Sequence, residues 1–270
     1  MPTISPVLLL IIGLAAGILS GMFGIGGGVI IVPALILLGF TQLQANGTSL
    51  AVLILPVGLF AVINYYQAGK LKLYIAFLCA IGLMIGGFFG AKIALGIPAT
   101  TLKQAYGVFL LYVAYRFADP RSWLAELRGQ PAAPSPSEND DVKVVWYLIL
   151  GVGLIAGVLS GMFGIGGGLI IVPALITLLH FDQKLAQGTS LGALLLPVGI
   201  GGLIEYANNG QLDINAALPV AIGLLFGAFA GSKIALNLPA KTIKRLYAIF
   251  VLILGVWFIL QPILQPPTTS

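Results

Sequence analysis

Residues 17–36 read GILSGMFGIGGGVIIVPALI, and residues 157–176 read GVLSGMFGIGGGLIIVPALI. The copies lie 140 residues apart (157 − 17) and differ only at Ile18/Val158 and Val29/Leu169. Each places four glycines in five positions inside an apolar run of membrane length. An interior glycine costs about 1 kcal/mol against alanine, so a continuous helix through the cluster is disfavoured. A helix broken in lipid frees backbone groups that hydrocarbon cannot satisfy, so such a break must be buried in protein or line a polar cavity. Only 8% of the 270 residues are charged and 59% are hydrophobic, with a mean hydropathy of +1.07. That is too little charge to cover a water-exposed surface, which normally carries about 25%. The recurring long apolar runs predict an all-α integral membrane protein, because a membrane β-barrel would show short alternating segments.

The duplication runs well past the glycines. Asn46-Gly47-Thr48-Ser49-Leu50 is matched by Gln187-Gly188-Thr189-Ser190-Leu191, Leu55-Pro56-Val57-Gly58 by Leu196-Pro197-Val198-Gly199, and Lys103 and Tyr106 by Lys244 and Tyr247. Two transmembrane repeats are expected, 1–118 and 143–270, joined by a Pro-, Ala-, Ser- and charge-rich linker over 119–142. Each repeat shows five apolar segments: 4–21, 27–40, 48–65, 73–95 and 102–117, then 143–161, 167–180, 189–206, 214–236 and 243–261. The second of each set reaches only about 21 Å as helix, against a hydrocarbon core of about 30 Å. It can tilt, or form a re-entrant hairpin with the segment before it; a glycine turn buried within the membrane is the favoured reading. Five crossings or three, the number per repeat is odd, so the second repeat inserts upside down.

Lysine and arginine orient the chain. Assigning alternate loops to two faces gives one face Lys70, Lys72, Arg116, Arg121, Arg128, Lys143, Lys184, Lys233, Lys241, Lys244 and Arg245, and the other only Lys92 and Lys103. The positive-inside rule places the linker in the cytoplasm and both termini outside. The N-terminus lacks the basic stretch of a signal peptide, so Met1 onwards reads as the first helix. The net charge of +5 reports this topology, not nucleic acid, since no basic patch interleaved with aromatics is present.

The candidate site follows from the breaks. A helix resuming near Gly28 or Gly168 turns unpaired N–H groups and its positive dipole end into the cavity, which suits an anion without a buried cation. Substrate contacts are therefore expected from Ser20, Gly24, Gly26, Gly27 and Gly28, and from Ser160, Gly164, Gly166, Gly167 and Gly168. Thr48, Ser49, Thr189 and Ser190 read as openings of the third and eighth segments, where hydroxyls can cap a helix or donate to an oxyanion. Asn46 and Gln187 add amide donors. Pro33 and Pro173 remove further backbone donors and can bend the short helices. The wider stripes Gly13/Gly17/Gly21, Gly153/Gly157/Gly161, Gly82/Gly86/Gly90 and Gly223/Gly227/Gly231 read as helix-packing surfaces.

Other polar residues carry less. Lys92 and Lys233 read as interfacial lysines, with attraction of anions into opposite vestibules as the functional alternative. Glu205 is expected at an interface, His180 in a loop, and Cys79 in packing. Tyr65, Tyr66, Tyr206 and Trp257 are expected in aromatic belts at the membrane surface. No Ser-His pair, carboxylate pair or histidine pair is visible, so neither an enzyme, a metal site nor a cofactor is called for.

The pattern G-x-x-x-G-x-x-G-x-G-G-G-x-x-x-x-P, from Gly17 to Pro33 and from Gly157 to Pro173, each followed by a G-T-S segment, resembles the TauE/SafE sulfite exporter family, also called the toluene sulfonate uptake permease family. The resemblance covers nearly the whole length outside the linker. It implies a secondary transporter of sulfur-containing oxyanions, sulfite or organosulfonates, in the cytoplasmic membrane, with the glycine motifs and Thr-Ser pairs along its pathway. Export by alternating access, one repeat moving against the other, is the leading reading; an anion channel or a carrier of another small organic anion is the alternative. The partners expected are the lipid bilayer and a small anion, not nucleic acid; a homodimer is one assembly open to such a chain.

Overall fold

The computed structural model describes residues 4–56, 58–118 and 145–264. The linker reading for 119–142 falls outside the described residues. Among them every regular element is an α-helix. The first repeat supplies α1 (Pro6–Phe23), α2 (Gly28–Leu37), α3 (Gln42–Ile54), α4 (Leu59–Gln67), α5 (Leu73–Leu95) and α6 (Ala99–Ala118). The second supplies their mates in the same order: α7 (Trp146–Phe163), α8 (Gly168–Leu178), α9 (Gln183–Leu195), α10 (Ile200–Asn208), α11 (Ile214–Asn237) and α12 (Ala240–Leu264). Five of these, α1, α5, α7, α11 and α12, are long and apolar enough to cross a membrane, and up to seven spans result if α3–α4 and α9–α10 each count as one. α2 and α8, at 10 and 11 residues, are too short to do so alone.

Segments three and eight depart from expectation. Each begins earlier than the apolar run, at Gln42 and Gln183, and each is two helices bent by 52° and 49°. The early start has a local cause. Thr41 forms a capping box with Gln44, and Asp182 accepts from the Lys184 and Leu185 amides at 2.8 and 2.9 Å. The bend falls at Leu55-Pro56 and Leu196-Pro197, where the residue before proline is pushed into extended backbone, ψ 146° and 155°. Thr48, Ser49, Thr189 and Ser190 therefore lie inside α3 and α9 and cap nothing at a helix start. Pro33 and Pro173, by contrast, sit within α2 and α8 without ending them.

The glycine stripes decide how the repeats combine. A Cβ added at Gly13, Gly17 or Gly21 would overlap the Val220, Leu224 or Ala228 carbonyl, and one at Gly223, Gly227 or Gly231 those of Leu10, Leu14 and Ile18. α1 and α11 thus run parallel, backbone against backbone. α5 and α7 do the same: Gly86 meets Leu154 and Gly157, and Gly157 meets Leu83 and Gly86. Cys79 joins this seam, fully buried against Gly153. Each tight pair takes one helix from each repeat, so the repeats are interleaved, not laid side by side.

The mates α6 and α12 also pack together, but in opposite directions. Gly107 meets Phe258 and Ile259, while Gly255 meets Leu110 and Leu111. Equivalent elements that run antiparallel are related by a two-fold axis perpendicular to them.

Candidate functional site

The two glycine breaks lie on that two-fold. α1 stops at Gly24, in the left-handed region at φ 73°, its N–H donating to the Ser20 carbonyl at 2.8 Å. Gly26 and Gly27 follow at φ 85° and 80°, and α2 begins at Gly28. The copy repeats this at Gly164, Gly166 and Gly167, with φ 69°, 81° and 79°. Three positive-φ residues in four positions are steeply unfavourable for any side chain, which is why the motif is glycine. The segments cross antiparallel and touch. A Cβ on Gly28 would strike the Gly164 carbonyl and Ile165, one on Gly168 the Gly24 carbonyl and Ile25, and one on Gly26 would come within 3.8 Å of Gly166 Cα.

Breaking α1 and α7 leaves carbonyls that need donors, and the other helices supply them in matched pairs. Tyr65 donates to Gly21 O at 3.0 Å, and its mate Tyr206 to Gly161 O at 2.9 Å. Ser190 donates to Gly24 O at 2.8 Å, and Ser49 to Gly164 O at 2.7 Å. Asn46 Nδ2 donates to Met162 O at 2.8 Å. Thr48 and Thr189 accept from the Asp213 and Lys72 amides, both at 3.1 Å, and so tie down the loops leading into α11 and α5. All of these side chains are fully buried.

The amide side of each break is different. Among the described residues the N–H groups of Gly26, Gly27 and Gly28, and of Gly166, Gly167 and Gly168, reach no acceptor, and all six residues are buried. A buried donor without a partner costs about 1–3 kcal/mol. Two sets of three such donors, each opening a helix, form a concentrated positive dipole field inside an apolar body. A small cavity touches the first break, walled by Ser20, Gly26 and Leu53 from one repeat and by Leu191, Leu194 and Leu224 from the other. Among the described residues no cluster of His, Cys, Asp or Glu suitable for a metal ion accompanies it.

The family model for the sulfite exporter TauE/SafE matches residues 9–258. The chain belongs to that family. Its relatives include the Bacillus subtilis protein named "Probable membrane transporter protein YunE", 28% identical over 95% of this chain and 98% of that protein. Another is "Probable membrane transporter protein MJ0441" of Methanocaldococcus jannaschii, 29% identical over 94% of this chain and 95% of that protein. A Haemophilus influenzae protein named "Probable membrane transporter protein" is 25% identical over 92% and 96%. No solved structure matches the chain. This TauE/SafE chain is thus a multi-pass membrane transporter of the cell membrane.

Placed on the TauE/SafE fold, the candidate residues divide into two groups. Gly24, Gly26, Gly27 and Gly28 with Gly164, Gly166, Gly167 and Gly168 meet at the crossing, with Ser20 and Ser160 one turn before it. The hydroxyls of Ser49 and Ser190 donate to backbone carbonyls, and those of Thr48 and Thr189 accept from loop amides, so in this structure all four brace the break. Tyr65 and Tyr206 are not belt residues: both are wholly buried. The signal for them was in the sequence, since they are matched across the repeats. Tyr66, 61% exposed, remains on the surface. Lys92 and Lys233 lie over the Phe88 and Phe229 rings, at 4.4 and 4.3 Å. Glu205 is 3.8 Å from Lys92, whereas its mate Asn64 donates to Ser232 at 2.8 Å.

Proposed function

We propose that this transporter carries sulfur-containing oxyanions, sulfite or organosulfonates, out of the cytoplasm, binding them at the crossed glycine breaks. The observation behind this reading is the pair of buried, unpaired amide sets that open α2 and α8. Sulfite and sulfonate groups present several acceptor oxygens to such donors. Neutral donors hold an anion without trapping it in an ion pair. Moving one negative charge out of a negative interior gains about 2.3 kcal/mol per 100 mV, so export needs no proton-relay carboxylate. The basic-residue bias puts residues 119–142 in the cytoplasm and both termini outside, with the two-fold in the membrane plane.

The packing modifies how access would alternate. Sliding one repeat past the other would separate backbones in van der Waals contact along α1–α11 and α5–α7. The moving bodies are instead the composite pairs, α1 with α11 and α5 with α7, rocking about the crossing.

Flux into proteoliposomes tests the function. Saturable uptake of sulfite or a sulfonate, stimulated by the same anion on the far side and by membrane potential, is the expected result. Non-saturable conductance would identify a channel. Uptake that ignores potential and strictly needs a proton or sodium gradient would contradict potential-driven export.

A further inference from the structure

The cavity at the first break joins two polar residues to an apolar wall. Ser20 lines it, buried at 3% exposure, and the Ser20 hydroxyl makes no hydrogen bond among the described residues. Gly26 brings one of the open backbone N–H groups. Apart from Gly58, the rest of the wall is leucine and alanine. Leu53 and Leu194 are mates, 141 positions apart (194 − 53), and are the one mated pair lining it among the described residues. They arrive from opposite repeats, on α3 and α9, so the two-fold passes between them. Each ends on a break glycine of the other repeat. Leu194 Cδ1 lies 2.8 Å from where a Cβ on Gly26 would sit, and Leu53 Cδ1 2.8 Å from the same point on Gly166.

The cavity volume is about 10 Å³, room for about one water molecule. Any larger guest must therefore displace part of the wall. Of its leucines, Leu191 and Leu224 are 2% and 1% exposed, whereas Leu194 and Leu53 are 8% and 4% exposed. The last two are the less enclosed, and only their side-chain ends touch the glycines. Sulfate, with oxygens all round, would turn some of them onto leucine, and a buried charged oxygen without a donor is costly. An anion with oxygens at one end and hydrocarbon at the other suits donors and leucines together. We propose that Leu53 and Leu194 are the specificity-determining side chains of this transporter: they turn off the two glycines to admit an anion and close on its hydrocarbon substituent. Their size then sets the length of substituent carried. The inference rests on the oxyanion reading above and adds a preference, short-chain sulfonates over inorganic sulfite and sulfate.

The test is calorimetric titration of the purified full chain in detergent with sulfite, sulfate, methanesulfonate, propanesulfonate and hexanesulfonate. The wild type should bind a short sulfonate more tightly than either inorganic anion. Leu194→Ala should shift the hexanesulfonate-to-methanesulfonate affinity ratio about tenfold toward the longer chain, what two buried methylenes supply. Leu53→Ala should do the same by symmetry. Leu110→Ala, at a buried leucine of the α6–α12 pair, should leave the ratio unchanged. A ratio that stays put in both variants, moves toward the shorter chain, or moves equally in Leu110→Ala overturns the proposal. Should Leu194→Ala not fold, Leu194→Val trims one methylene and is judged by the same ratio. A wild type that prefers sulfite or sulfate to every sulfonate overturns this proposal and leaves the oxyanion reading standing. Binding of none of the five overturns both.

Discussion

At the scale of single residues, the glycine break is held by side chains that satisfy carbonyls, while its amides are left without partners. That division separates the side chains that hold the break together from the backbone donors it leaves open. Tyr206→Phe removes a buried donor from the Gly161 carbonyl and leaves it unsatisfied, which should cost about 1–3 kcal/mol. Tyr65→Phe should cost a similar amount, because its bond is the same by symmetry. Denaturant or thermal unfolding in detergent checks both. A loss below a few tenths of a kcal/mol would show that the carbonyls find another donor. Gly26→Ala meets a different obstacle: φ of 85° strains any side chain, while the nearest atom is the mobile Leu194 Cδ1 at 2.8 Å. Its expected cost is about 1–2 kcal/mol, mostly backbone strain, from the left-handed penalty.

At the scale of elements, the stripes and the caps make separate predictions. Gly227→Val would drive a side chain into the Leu14 carbonyl and against Gly17 Cα, 2.9 Å away. Backbone cannot yield as a side chain does, so the expected loss is about 3 kcal/mol, the upper end of overpacking costs. Gly151 has open space around it. Gly151→Ala should stabilise by about 0.4–1 kcal/mol through helix propensity and unfolded-state entropy. Melting temperatures moving in the same direction for the two would disprove the packing assignment.

Asp182 tests the cap of α9. Burial alone would raise its pKa, but the Lys70 side chain at 2.8 Å and the Leu185 and Lys184 amides outweigh that and hold it below the ordinary carboxylate value. A depressed folded pKa stabilises above the unfolded value and loses that contribution as pH falls through the folded one. The melting temperature should therefore drop on acidification below the usual aspartate range of about 4, and Asp182→Asn should flatten that part of the profile. A wild-type profile superimposing on that of the variant would remove Asp182 from the account.

At the scale of the whole molecule, interleaving makes neither repeat a self-sufficient bundle. α1 needs α11, and α7 needs α5, to cover its glycine face. Without these partners the small-residue stripes have nothing to pack on. Residues 1–118 or 143–270 expressed alone should not yield a monodisperse, protease-resistant protein. Co-expressing the two pieces should restore one that binds anions. A stable, folded 1–118 fragment would refute interleaving.

The sequence alone was enough to establish a membrane protein, a duplicated chain and a helix interruption at Gly24–Gly28. Each of these follows from local chemistry: too few charges, a repeated string, and glycines too dense for a helix. It misplaced the start of α3, because the polar run Gln42–Ser49 looks like a loop until buried partners are seen. It also passed over the bend at Pro56, since apolar residues continue through it. It put Tyr65 and Tyr206 at the membrane surface, because an aromatic with a hydroxyl suits an interface equally well. Only the tertiary structure decided that the glycine stripes pair across repeats and that the serine hydroxyls are spent on carbonyls. Hydrogen bonding and close packing between residues more than 60 positions apart depend on which helices become neighbours, and no local pattern specifies that.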